Sequence, residues 1–292
     1  MQIVFHLGVH ATDDGALIRS LLKNREVLGK AGVAVPGPGR YKSLLRDSIN
    51  SLRGQFASFE AQEALIETVI DDDTTERIVF SNESFISMPA KAVDEDQFYP
   101  KAQKAAWLRN IFPAHDVEFA LSIVNPASFL PAIMRMQEDT GAPAAEIMAD
   151  IDVYGLRWSE FIQRLRTSVP DARIIVWANE DTPFIWNEVM REVTGVDTFT
   201  KLMGGLDILA KIMDREGMQR LRNFMAKRPP ANETARRRIL AAFLEKYALD
   251  SAVMEEAALP GWTEETIERL SEIYDEDIEV IRRMPGVEFI EA

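Results

Sequence analysis

The sequence predicts an α/β fold: three layers, α/β/α, around a mainly parallel sheet, with a helical C-terminal part. Three observations carry this. Short apolar runs of strand length alternate with longer segments of helical periodicity. The first strand runs into a glycine-containing loop and then a helix, the order of a nucleotide-binding βα unit. From about residue 205 the strand-like runs give way to helical patterns.

Residues 2–7 alternate as a short buried strand, the loop spans Gly8 to Gly15, and Leu17, Leu21 and Leu28 then share one helical face. Val33–Val35 is a short extended piece, closed by Pro36-Gly37-Pro38-Gly39. Helical patterns cover about 42–52 and 59–70, and Arg77–Ser81 is a second strand. Gln97–Ile111 reads as a helix, Val117–Val124 as a third strand, and Asn125-Pro126 breaks it before a helix over Phe129–Glu138. The Ala-rich stretch Thr140–Asp150 is expected to be mobile. Leu156–Thr167 is helical and Arg173–Ala178 is a fourth strand, followed by a helix start at Asp181-Thr182-Pro183. Helices are expected at Gly217–Ala226, Glu233–Tyr247 and Glu264–Arg283, with a last strand at Val287–Ile290. The division expected is an α/β core over 1–200 and a helical part over 201–292 packed on the same core.

Composition narrows the function classes. With 33 basic and 47 acidic residues the net charge is −14, which repels polyanions, so a nucleic-acid partner is not expected. There is no cysteine, which excludes disulfides and thiolate chemistry. No run is long enough to span a bilayer, and the start Met1-Gln2-Ile3-Val4-Phe5 lacks the pattern of a signal peptide. A cytoplasmic protein without a membrane partner is the expectation.

The opening His6-Leu7-Gly8-Val9-His10-Ala11-Thr12-Asp13-Asp14-Gly15 resembles the first loop of bacterial sulfotransferases, with His6, Gly8, His10 and Thr12 in register. Ile78–Glu83 looks like that family's strand ending in Ser-x-Glu, and Asn125-Pro126-Ala127-Ser128 like its 3′-phosphate segment. Ile174–Asp181 looks like its strand ending in Glu-Asp, and Tyr274–Ile281 with Gly286-Val287 like its close. The resemblance implies a sulfotransferase-like, P-loop-like fold. It also implies that the loop wraps the 5′-phosphosulfate of 3′-phosphoadenosine 5′-phosphosulfate, an anion held by backbone N–H groups at a helix N-terminus.

The departures weigh against that donor. The family's loop lysine is Ala11, the next Gly and Thr are Asp13 and Asp14, the arginine before Asn125 is Val124, and the following serine is Ala132. A carboxylate about 5 Å from a phosphate charge costs about 3 kcal/mol at an effective dielectric of about 20. Each lost lysine or arginine contact removes about 1.5–3 kcal/mol.

Candidate site residues follow from the resemblance. Glu83, at a strand end toward the expected cleft, and His10, on the loop, are the general-base candidates. Gly8, Thr12, Asp13, Asp14, Gly15 and Asn125 occupy the nucleotide-binding positions, although Asp13 and Asp14 also read as helix-capping residues. His6 reads as a core histidine. Arg236-Arg237-Arg238 reads as a solvated helix face, and no metal-ligand spacing is visible. The favoured function is a sulfotransferase-like protein that no longer binds the donor, has no cofactor, and works by binding a small ligand or protein. The alternative is an active sulfotransferase with a divergent donor site that uses Glu83 or His10 as base. A P-loop phosphotransferase is weakest, because the loop lacks Gly-Lys-Ser/Thr.

Overall fold

The structure is a computed structural model, and it describes residues 1–94, 96–138, 151–249, 259 and 261–292. The stretch Thr140–Asp150, where mobility is expected from the sequence, lies outside the described residues.

The described residues hold eight strands: β1 Gln2–His6, β2 Val33–Ala34, β3 Arg77–Ser81, β4 Val93–Asp94, β5 Gln97–Phe98, β6 Asp116–Ile123, β7 Arg173–Ala178 and β8 Val287–Ile290. Six form one sheet in the order β2-β3-β1-β6-β7-β8, and every pairing in it is parallel. β1 is central, between β3 and β6, and its chain continues into the helix Ala16–Lys23. A parallel sheet of this kind needs helices on both faces, and alternate residues along each strand divide between them. Ile3, Phe5, Ile78, Phe80, Phe119 and Val176 face the larger core, with Tyr41, Leu45, Phe129, Trp158, Phe161 and Ile281 from the helices. Val4, Val79, Ala120, Ile175 and Trp177 face the other, against Leu17, Leu21, Ile185, Trp186 and Val189.

The C-terminal region divides. Helices Arg215–Lys227 and Glu233–Tyr247 build a small cluster of their own around Met218, Leu221 and Leu240. Helix Glu264–Arg282 instead returns to the sheet, where Tyr274 and Ile281 enter the larger core.

Two expectations are corrected. Gln97–Ile111 is not one helix: Gln97 and Phe98 pair back on β4, Tyr99 takes a positive φ of 46°, Pro100 follows, and only Lys104–Arg109 is α-helical. Phe98 stacks on Trp158 at 4.0 Å, so tertiary packing overrides the helical pattern. Arg236 is not a solvated residue. It is 5% exposed, and its guanidinium donates to the carbonyls of Phe184 at 3.0 Å and Gly205 at 3.1 Å. Arg237 is likewise engaged, 3.3 Å from Glu188.

Candidate functional site

Clefts in open parallel sheets lie outside the carboxyl ends of the strands, where connections leave a central strand in opposite directions. Here that place is the end of β1 beside the end of β3. A cavity of about 320 Å³ opens there, lined by His6 and Gly8 from one strand end and Ser81, Asn82 and Glu83 from the other. Asp13, Asp14 and Arg19 from the loop and first helix close one side, and Lys42 the other. Gly8 is required by contact as well as conformation. Its φ is 92°, and a Cβ there would lie 3.0 Å from the Cβ of Glu83 and 3.1 Å from its Cα.

The Asp13 side chain satisfies two donors at the helix start. The Asp13 carboxylate accepts from the backbone N–H of Gly15 at 3.1 Å and of Leu17 at 2.6 Å, at the opening of helix Ala16–Lys23. These groups belong to the set that a helix start offers to an anion. The Asp13 carbonyl accepts from Ala16 N–H at 2.9 Å and from Lys211 Nζ at 3.2 Å. Thr12 turns its hydroxyl onto the Val9 carbonyl at 2.7 Å, away from the cavity lining.

The two histidines have different surroundings. His10 is fully buried and does not line the cavity. Its backbone N–H donates to Tyr99 Oη at 3.1 Å, and the same hydroxyl is hydrogen-bonded to His10 Nδ1 at 2.7 Å. The other ring nitrogen, Nε2, lies 3.4 Å from Ser84 Oγ. Burial holds the His10 pKa down at about 4. His6 does line the cavity, although it is 2% exposed. Its Nδ1 lies 2.8 Å from Ser81 Oγ, its ring stacks on Trp177, and Nε2 has no hydrogen-bond partner. Burial lowers its pKa, with Asp13 opposing.

Glu83 stands at the rim. Partial desolvation of its carboxyl raises its pKa, Asp13 and Asp14 add to the rise, and Lys42 opposes it. Asn125 is elsewhere. Its Oδ1 accepts from Ala127 N–H at 2.9 Å, its Nδ2 donates to Ser271 Oγ at 2.8 Å, and its backbone N–H donates to Glu180 at 2.8 Å. It caps the helix Pro126–Glu138 and ties it to the last helix. The structure thus brings Gly8, Asp13, Asp14, Gly15 and Glu83 to one cavity and places His10, Thr12 and Asn125 outside its lining. Arg19, Lys42 and Asn82 were not singled out from the sequence. Lys42 is one charge among several on a helix, and no local pattern marks it.

A second cavity, of about 550 Å³, adjoins the first, and both are lined by Pro38, Lys42 and Asn82. Among the described residues no group of three or more His, Asp or Glu side chains is placed to hold a metal ion. No described helix is long and apolar enough to cross a membrane.

Comparison with known proteins finds no family model that matches the chain and no curated protein that matches it. Among solved structures, a sulfotransferase from Alicyclobacillus acidocaldarius matches at 13% sequence identity and a TM-score of 0.39, covering 86% of this chain and 98% of that chain.

Proposed function

We propose that this protein is a sulfotransferase-like binding module, in which the cleft at the ends of β1 and β3 takes a small ligand and the usual sulfuryl donor is not used. One observation carries the reading: the Asp13 carboxylate already holds the N–H groups of Gly15 and Leu17. An incoming phosphate would have to displace a covalently tethered anion and then sit beside Asp14 and Glu83.

The residues fit 3′-phosphoadenosine 5′-phosphosulfate poorly at its other end too. Val124, in the arginine position of the resemblance, is 3% exposed, and its carbonyl accepts from Trp158 Nε1 at 2.8 Å. It belongs to the packed interior and has no charge to offer a 3′-phosphate. Arg236, which could have compensated, is spent on two carbonyls.

The test is calorimetric titration with 3′-phosphoadenosine 5′-phosphate. Binding weaker than about 1 mM, or about −4 kcal/mol, is expected. The reversion Ala11→Lys with Asp13→Gly and Asp14→Thr should gain measurable affinity at low salt, because it restores a cation and vacates the N–H groups. Micromolar binding by the native chain would overturn the reading.

A second reading rests on Glu83. A carboxyl with a raised pKa at the rim of a cleft suits a general base, and an active transferase with a divergent donor site would use it to deprotonate an acceptor hydroxyl. Micromolar nucleotide binding is the result that would favour it.

A further inference from the structure

The second cavity differs from the first in the sign of its charge. Lys42, Arg46 and Lys104 line it, and no Asp or Glu does. Lys42 and Arg46 are four residues apart on the helix Pro38–Leu52 and so share a face, while Lys104 opens the helix Lys104–Arg109. Several other cations of this acidic chain sit against carboxylates, such as Arg40 with Asp71 at 2.7 Å, Arg109 with Asp171 at 2.6 Å and Arg173 with Glu288 at 2.5 Å. Among the described residues Lys42 and Lys104 make no ion pair, and Arg46 meets only its neighbour Asp47 at 3.3 Å.

Lys104 is partly buried, and burial together with nearby Lys101 lowers its pKa, so its charge is held at a cost that nothing in the cavity offsets. The remaining wall is apolar, built from Ile49, Phe85 and Met88. Met88 is 63% exposed, a thioether left open beside the ammonium groups. Such side chains adapt to the shape of an apolar partner. The volume of about 550 Å³ lies in the range of small-molecule sites.

We propose that this cavity binds an organic anion, with an oxyanion head (a carboxylate or a sulfate ester) between Lys42 and Lys104 and an apolar body along Phe85, Ile49 and Met88. The proposal deepens the reading of the cleft as a small-ligand site and rests on it. The two lysines, in no ion pair among the described residues, select the sign of the head. The apolar wall selects against inorganic phosphate and other ions without a body, and the surrounding negative charge selects against long polyanions.

The probes are decanoate and decyl sulfate, with decylammonium as the control of opposite charge, titrated calorimetrically well below their micelle concentrations. The full chain should bind at least one of the two anions, and the ammonium at least about tenfold more weakly. Lys42→Gln and Lys104→Gln should each weaken the anion about tenfold, the loss of one charge-assisted contact. Lys101→Gln, outside the lining, removes a nearby charge and no contact, and should weaken it by less than about threefold. Each lysine is at least partly exposed, so folding is retained and is checked by circular dichroism. Preference between the two anions identifies the head group. Absence of anion binding, equal binding of the ammonium, or indifference to both lysine changes would overturn the proposal. The nucleotide titration separates the two claims: micromolar nucleotide binding defeats the binding-module reading whatever decanoate does, and failure of the anions alone leaves that reading standing.

Discussion

Replacing Asp13 by alanine removes the side chain that occupies the start of helix Ala16–Lys23. Two hydrogen bonds are lost, from Gly15 and Leu17, together with the charge that complements the helix dipole. Losing a side-chain cap costs about 1 kcal/mol, and the dipole interaction adds about 0.3–1 kcal/mol. Against this, the change relieves Glu83 of a neighbouring negative charge. The net expectation is a loss of about 1–1.5 kcal/mol, or a fall in Tm of about 2 °C for a chain of this size. Asp13→Asn retains one oxygen acceptor and should lose about half as much. Thermal unfolding followed by circular dichroism reads both. A second measurement isolates the cause. Sulfate should stabilise Asp13→Ala more than the native chain at matched ionic strength in chloride, because the vacated N–H groups can take an anion. If Asp13→Ala melts with the native chain and sulfate acts on both alike, the carboxylate is not holding those groups, and the helix start is open to the donor's phosphate.

Two further outcomes are expected. Arg77 and Glu118 form a buried ion pair at the far end of the sheet, with Arg77 also bound to Gln2 Oε1 at 2.6 Å and the Val193 carbonyl at 3.1 Å. Glu118→Gln leaves that guanidinium uncompensated and should cost about 3–5 kcal/mol in urea unfolding, whereas a loss below about 1 kcal/mol would show the pair to be dispensable. For His10, burial holds the native pKa at about 4 against an ordinary value of 6.5, so between these the unfolded chain binds a proton that the folded chain refuses. Stability should therefore fall as pH drops from about 6.5 to about 4, by up to about 3 kcal/mol. His10→Gln should flatten that part of the urea-derived profile, and parallel profiles would refute the assignment.

Much of the fold was legible because strand signals are local. Arg77–Ser81, Arg173–Ala178 and Val287–Ile290 are strands with the bounds read from their apolar runs, and β1 is central as its loop and helix suggested. The site was less legible because its residues are defined by distant partners. His10 lies on a loop at a strand end, where side chains commonly face a cleft, but the hydroxyl of Tyr99 draws its ring inward. No local pattern anticipates a partner so far along the chain. His6 read as core from its strand alternation, and it is buried, yet it also lines the cavity because the strand ends with it. The capping tendency of Asp13 was visible, and its two N–H partners give that tendency a definite form. The cationic cavity could not be read at all: Lys42 and Arg46 look like ordinary helix-surface charges, and Lys104 meets them only when the helices pack.

A sheet whose strands all run one way must still end somewhere, and an unpaired rim of N–H and C=O groups is an invitation to another chain. In this protein the two rims are β2, only two residues long, and β8, four residues long. Outward on β8, Glu288 carries a charge engaged by Arg173. Neither rim offers the long, flat, apolar ladder on which intermolecular strand addition feeds. The long strand of the sheet, β6 with eight residues, is enclosed between β1 and β7. The segment most capable of templating aggregation is thereby kept from the periphery, and resistance to edge-to-edge association is built into the order of the strands.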